Sequence, residues 1–318
     1  MGKSLRVAYG EALVKLGAKN DKVVVLDADL AHATQTCMFK DAYPDRHFNM
    51  GIAEANMMCA AAGFAHTGYV PFVSTFALFG AGRAFEQIRN SICYTNCNVK
   101  LGFSHSGLCV GEDGGSHQSI EDIALMRELP YMTIFVPCDP AETEKAVMAA
   151  AEIDGPVYIR VARPVCDDIT TADTPFIPGK ANVMKKGNDV CIIACGLMIP
   201  KALDAATELE KEGISAAVVN MHTIKPIDKD IVLKMNETCK AIVTVEEHSV
   251  IGGLGSAVAE VLAGHDGAKF GMVGIQDKFG KSGKPDQLFE AYGLTAANVS
   301  ATVKELLKKQ ESFWRIRQ

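Results

Sequence analysis

Two histidines, His105 and His117, stand twelve positions apart in the stretch SHSGLCVGEDGGSHQ, which begins at Ser104. Histidine is the side chain whose ordinary pKa lies nearest neutrality, so such a pair can give and take protons near pH 7. Gly107, Gly111, Gly114 and Gly115 let backbone approach a ligand closely. Asp113 can orient a hydroxyl or a histidine, while Glu112 reads equally well as a structural acid. Upstream, PFVSTFALFGAGRAFEQIR places Phe76 and Phe79 on an apolar ledge, and Asn49-Met50-Gly51-Ile52-Ala53-Glu54 sets a carboxylate just before it. This combination suits a flat polar ring held beside groups that move protons. Glu54 has two readings: an acid favoured at a helix N-terminus, or a buried carboxylate that shares a proton with a heterocyclic nitrogen. The histidines likewise admit a plain packed reading.

The elements that must carry these residues follow from pattern. Apolar spacing at Leu5, Ala8, Ala12, Leu13 and Leu16 predicts a helix over 4–16. The run Val23-Val24-Val25-Leu26 predicts a buried parallel strand, with Asp27-Ala28-Asp29 at its carboxyl end, where α/β proteins keep their sites. A short strand at 47–50 leads into a helix over 54–66. That helix is rich in small residues (Ala55, Cys59, Ala60, Ala61, Ala62, Gly63, Ala65), which fit either a core or a close interface. Strands are expected at 70–74, 99–103, 132–136 and 157–161. Between them lie helices at 79–92, with Arg83, Glu86 and Arg89 on one side, and at 120–128. Asp139-Pro140-Ala141-Glu142 reads as a capping box opening a helix that runs to Ile153. Residues 164–188 change to an acidic, proline-bearing linker. Strands at 190–194, 216–221, 241–245 and 270–275, with helices at 199–212, 255–262 and 296–309, make a second α/β unit. The expected domains are 1–165 and 189–318, joined by 166–188.

The chain has 318 residues, 48% hydrophobic and 22% charged, enough to bury a large core. Its net charge of -6 and lack of a basic run exclude a nucleic-acid groove. No run reaches the ~18 apolar residues that span a bilayer. Its 10 cysteines show no regular spacing, and Met1-Gly2-Lys3-Ser4 lacks the apolar part of a secretory leader, so a cytoplasmic setting is expected. Gly252-Gly253-Leu254-Gly255 is no dinucleotide fingerprint, no phosphate-binding GxxxxGK[ST] exists, no serine sits in GxSxG, and Cys93 and Cys97 lack a second pair for zinc. No metal ligands are therefore assigned within this chain.

Four motifs together resemble the second half of transketolase: Gly51-Ile52-Ala53-Glu54-Ala55-Asn56, Ser74-Thr75-Phe76, Gly111 to Gln118, and Phe279-Gly280-Lys281-Ser282-Gly283. The resemblance covers nearly the whole chain. It implies two three-layer α/β domains, a thiamine-diphosphate-binding fold of the pyrimidine type followed by a transketolase C-terminal domain. The implied activity is transfer of a two-carbon ketol unit from a ketose phosphate to an aldose, within a two-subunit enzyme. Glu54 matches the glutamate that hydrogen-bonds the aminopyrimidine ring. Phe76 and Phe79 match the aromatics of the pyrimidine pocket, and Asp29-Leu30 the segment that places an apolar side chain under the bent cofactor. His105 and His117 match histidines on substrate oxygens, which makes them catalytic candidates beside Glu54. Asp113 matches an aspartate on a sugar hydroxyl, and Arg163 an arginine on the sugar phosphate, where a planar fork binds bidentately.

Departures also stand in the sequence. Gly82 replaces a third aromatic of some transketolases, Ala33 replaces a serine, and Arg6 is offset from a second phosphate-binding arginine. No GDG segment with its following Asn is present. The diphosphate and its Mg²⁺ or Ca²⁺ are therefore expected from an N-terminal-section partner subunit. The expected assembly is a homodimer of this chain alone and an α2β2 complex with the partner. Two related readings share some motifs: the beta subunit of a 2-oxo acid dehydrogenase, and a deoxyxylulose-phosphate-synthase-like enzyme. A non-catalytic scaffold subunit is a third. Together, Glu54, His105, Asp113 and His117 weigh against the scaffold.

Overall fold

The computed structural model describes residues 2–315, with side chains through Lys308, so the outermost residues of the two expected domains lie outside it. Two sheets dominate. The first has seven strands in the order Thr223–Lys225, Thr133–Phe135, Val157–Arg160, Lys100–Ser104, Val70–Phe76, Val23–Asp27 and His47–Asn49. All neighbours are parallel except the first pair. The second has five strands in the order Lys269–Ile275, Ala241–Ser249, Val190–Ala194, Ala216–Asn220 and Asn182–Lys185, parallel apart from the last pair. Parallel strands need crossovers, and helices supply them on the sheet faces. Both fold classes expected from the sequence are present.

Continuous burial along Val23–Asp27 and Lys100–Ser104 explains why these strands read as unbroken apolar runs. Their parallel register puts every carboxyl end on one edge: Asp27 pairs with Asn49 and Ser74, and Phe76 with Ser104. A ligand site belongs at that edge.

Several boundaries differ from the sequence reading. The helix expected over 79–92 is wide-turned at Leu78–Arg83 and Ile88–Cys93, with a short α-helical piece, Phe85–Gln87, between. Asp139 does cap its helix, accepting the Glu142 N–H at 2.7 Å. The reciprocal half of the capping box fails, because the Glu142 carboxylate takes the Cys138 N–H at 2.8 Å instead. The 164–188 stretch is also not bare. Val165–Cys166 pairs with Lys3–Ser4, and Asn182–Lys185 is an edge strand of the second sheet. One strand from the second half of the sequence, Thr223–Lys225, joins the first sheet. Among the described residues no helix is long and apolar enough to cross a membrane.

Candidate active site

The carboxyl edge of the first sheet brings the aromatic ledge, Glu54 and the two histidines together. Phe76 ends its strand buried, and Phe79 lies one turn on, with ring centroids 5.6 Å apart and planes 25° apart. His105 stacks on Phe76 at 3.9 Å, and His117 meets Phe79 edge-on at 5.2 Å. The histidines therefore share one aromatic wall despite their separation in sequence.

His105 has a φ of 56°, in the left-handed region, which few non-glycine residues adopt. A buried residue held there marks a constrained turn of the kind that gathers at functional sites. Its Nδ1 lies 2.8 Å from Ser104 Oγ. Burial pushes its pKa down to about 3, aided by Arg6, Arg163 and His117, so the imidazole is neutral at physiological pH. His117 is half-buried, with Nδ1 3.0 Å from Ser116 Oγ.

Glu54 opens its helix and is 2% exposed. Its partner was not foreseen: Arg83 Nη1 donates to both carboxylate oxygens, at 2.9 and 3.0 Å. The Arg83 guanidinium also lies 4.6 Å from the Phe79 ring centre. From the sequence alone Arg83 stands on one helix side with Glu86 and Arg89, and nothing there points to Glu54. The wide turn at Leu78–Arg83 carries it back over the ledge.

Asp27 builds the next wall. Its buried carboxylate accepts the Leu30 N–H at 2.5 Å and the Thr34 and Thr36 hydroxyls at 3.0 Å each. Burial raises the Asp27 pKa, opposed by those donors. The turn so fixed puts Asp29 in the left-handed region, with Asn49 donating to its carboxylate at 3.0 Å. Asp29, Leu30 and Asn49 line a cavity of about 440 Å³. A roomier cavity of about 940 Å³ lies between the helices Leu5–Lys19 and Pro140–Glu152 and shares none of these residues.

At the other end, Arg163 Nη1 donates to the Val110 carbonyl and lies 3.9 Å from both Glu112 and Asp113 carboxylates. Arg6 also arrives here, close enough that Arg163 lowers its pKa after burial and that both arginines act on His105. The sequence offset of Arg6 therefore does not keep it from this end of the site. Arg6 Nη1 donates to the Ala33 carbonyl at 3.0 Å, while its Nε is buried with no partner. Two arginines and an unused buried donor suit an anionic ligand.

The residues present fit the aminopyrimidine end of thiamine diphosphate. A buried acid can accept a ring hydrogen bond, and paired aromatics offer a face.

Comparison with known proteins gives the lineage. Residues 2–167 match the transketolase pyrimidine-binding domain and residues 179–299 the transketolase C-terminal domain. A protein of Methanocaldococcus jannaschii named as a transketolase C-terminal section is 46% identical over 97% of this chain and 98% of that protein. The 6-deoxy-6-sulfo-D-fructose transketolase subunit of a Clostridium species is 40% identical over 96% of this chain and 95% of its own length. Human transketolase is 39% identical, but this chain spans only 49% of it. A solved structure described as a split gene transketolase, inactive beta4 tetramer, shares 52% identity, with a TM-score of 0.89 over 97% of this chain and 99% of that one. That tetramer overturns the expected simple homodimer: a relative this similar associates with itself in fours. The two matched domains and these identities establish that the chain belongs to the transketolase family, as its C-terminal section.

Proposed function

We propose that this chain is the pyrimidine-binding subunit of a two-part, thiamine-diphosphate-dependent transketolase, catalytically silent without its N-terminal-section partner. The observation that carries the reading is the shared wall of Glu54, Phe76, Phe79, His105 and His117 at one sheet edge. The relatives' names and the description of a similar chain as an inactive tetramer support it over the dehydrogenase, synthase and scaffold readings.

Phe76 and Phe79 would flank the pyrimidine ring, with Leu30 and Asp29 bounding the cofactor from the Asp27 turn. Glu54 would accept a hydrogen bond from the ring and hold a proton there. When bound, thiamine diphosphate supplies the carbon nucleophile and the electron sink. The diphosphate and its Mg²⁺ or Ca²⁺ fall to the partner. His105, kept neutral by burial, and His117 would relay protons of the ketose oxygens, and Asp113 would orient a hydroxyl. Arg163, with Arg6, would hold the sugar phosphate.

The test is Glu54→Gln in the reconstituted enzyme. The variant keeps the shape and loses the proton-holding acid, so ketol transfer should fall ~10²–10⁴-fold with the fold intact. Near wild-type turnover and near wild-type exchange of the cofactor's reactive C–H would sink the assignment.

A further inference from the structure

We infer that Glu247, on strand Ala241–Ser249 of the second domain, is a positioning residue for the loop that carries His105, Asp113 and His117. The inference deepens the reading above and rests on it.

Glu247 is buried, and its Oε1 accepts the Cys109 N–H at 2.6 Å. Cys109 lies midway between His105 and Asp113. The other loop contacts converge on the same domain. Gly107 has a φ of 76°, and a side chain there would collide with the Glu247 carboxylate. Glycine at 107 is thus required both by the backbone turn and by Glu247. Gln118 Nε2 donates to the Gly111 carbonyl at 3.1 Å and to the Lys281 carbonyl at 3.0 Å, tying the loop's far end to the 280–283 segment. A side chain at Gly115 would meet the Gly280 carbonyl at 2.7 Å, so the two segments touch backbone to backbone.

The support beneath Glu247 is itself fixed. Arg160 donates to the Glu247 carbonyl at 3.1 Å and to both Asp122 oxygens, at 2.7 and 3.2 Å. Leu108, Cys109, Val110 and Gly111 are all buried, so the loop cannot satisfy its backbone with water. His105 and Asp113, at either end of this buried stretch, inherit their places from it. Burial pushes the Glu247 carboxyl up to about 7, opposed by Arg160. Its neutral and ionised forms both accept the Cys109 N–H, which makes glutamine the conservative replacement.

Amide exchange on the full chain reads the anchor without any activity. In Glu247→Leu, exchange across 106–113 should speed up at least about tenfold, the scale of one lost buried hydrogen bond. Exchange across Val190–Ala194 should stay unchanged. Glu247→Gln should remain within about threefold of wild type. Where the leucine variant fails to fold, Glu247→Asp keeps the charge beside Arg160 but loses the reach, and it should loosen the same segment. In the reconstituted complex, Glu247→Leu should raise the ketose KM about tenfold at unchanged cofactor affinity, with Glu247→Gln rescuing it. Unaltered exchange in the leucine and aspartate variants would overturn the anchor. Faster exchange with a wild-type KM would overturn the positioning role. A wild-type complex that turned over no ketose would instead overturn the functional reading, with exchange still deciding the anchor.

Discussion

At the residue scale, the site depends on side chains held in states that water would not favour. His105 is the clearest case, because burial depresses its pKa from 6.5 to about 3. A depressed folded-state pKa contributes stability that is complete above the unfolded value and lost as pH falls through the folded one. Wild type should therefore lose stability relative to His105→Gln as pH drops from 6.5 towards 4. Urea midpoints at stepped pH values check this, and parallel curves for the two proteins would contradict it. Single alanine variants of His105, Asp113 and His117 should bind cofactor nearly normally in the complex while losing donor cleavage. Loss of cofactor affinity in all three, with turnover of the residual holoenzyme unchanged, would refute their substrate-side roles. Glu54, Phe76, Phe79 and the histidines were legible from type and spacing. Arg83 was not: its contact with Glu54 spans 29 positions and depends on wide helical turns that no local pattern announces.

At the element scale, the long apolar runs declared themselves and the short pairings did not. The strand at Val23–Asp27 follows from its unbroken apolar run, and the helix at Glu54–His66 from its small residues. The pair Lys3–Ser4 with Val165–Cys166, and the visiting strand Thr223–Lys225, are two or three residues long and are defined by distant partners. Lys100 gave no warning either. It sits fully buried in its strand, donating to the Ile153 and Gly155 carbonyls at 2.6 and 2.7 Å, with burial lowering its pKa to about 7. In the small-residue helix Ala61 and Ala62 enter the core, while Cys59 and Gly63 are exposed. Asp139 is the junction of greatest consequence. Its carboxylate accepts the N–H groups of Glu142, Ile169 and Thr170 and the Thr170 hydroxyl, so it caps a helix and pins the start of the linker at once. Asp139→Ala strands buried donors and should cost at least about 1–3 kcal/mol in denaturant unfolding. A change within about 0.5 kcal/mol would show that the linker is held elsewhere.

At the scale of the whole molecule, the second domain packs against the loop to which we assign the substrate-side chemistry. It contributes a strand to the first sheet and supports the histidine loop through Glu247 and the Lys281 carbonyl. We propose the domain boundary within 166–188, where Thr171, Ala172, Asp173 and Pro175 are exposed. We propose that this chain carries half of a cofactor site. Phe76, Phe79 and Glu54 suit a flat, neutral ring, whereas a diphosphate needs a cation and its ligands. Calorimetry of the purified chain with thiamine diphosphate and Mg²⁺, repeated after adding the N-terminal section, tests this most directly. The chain alone should show no submicromolar binding and no ketose turnover, with both appearing once the partner is present. Submicromolar cofactor binding or ketose turnover by the lone chain would contradict it.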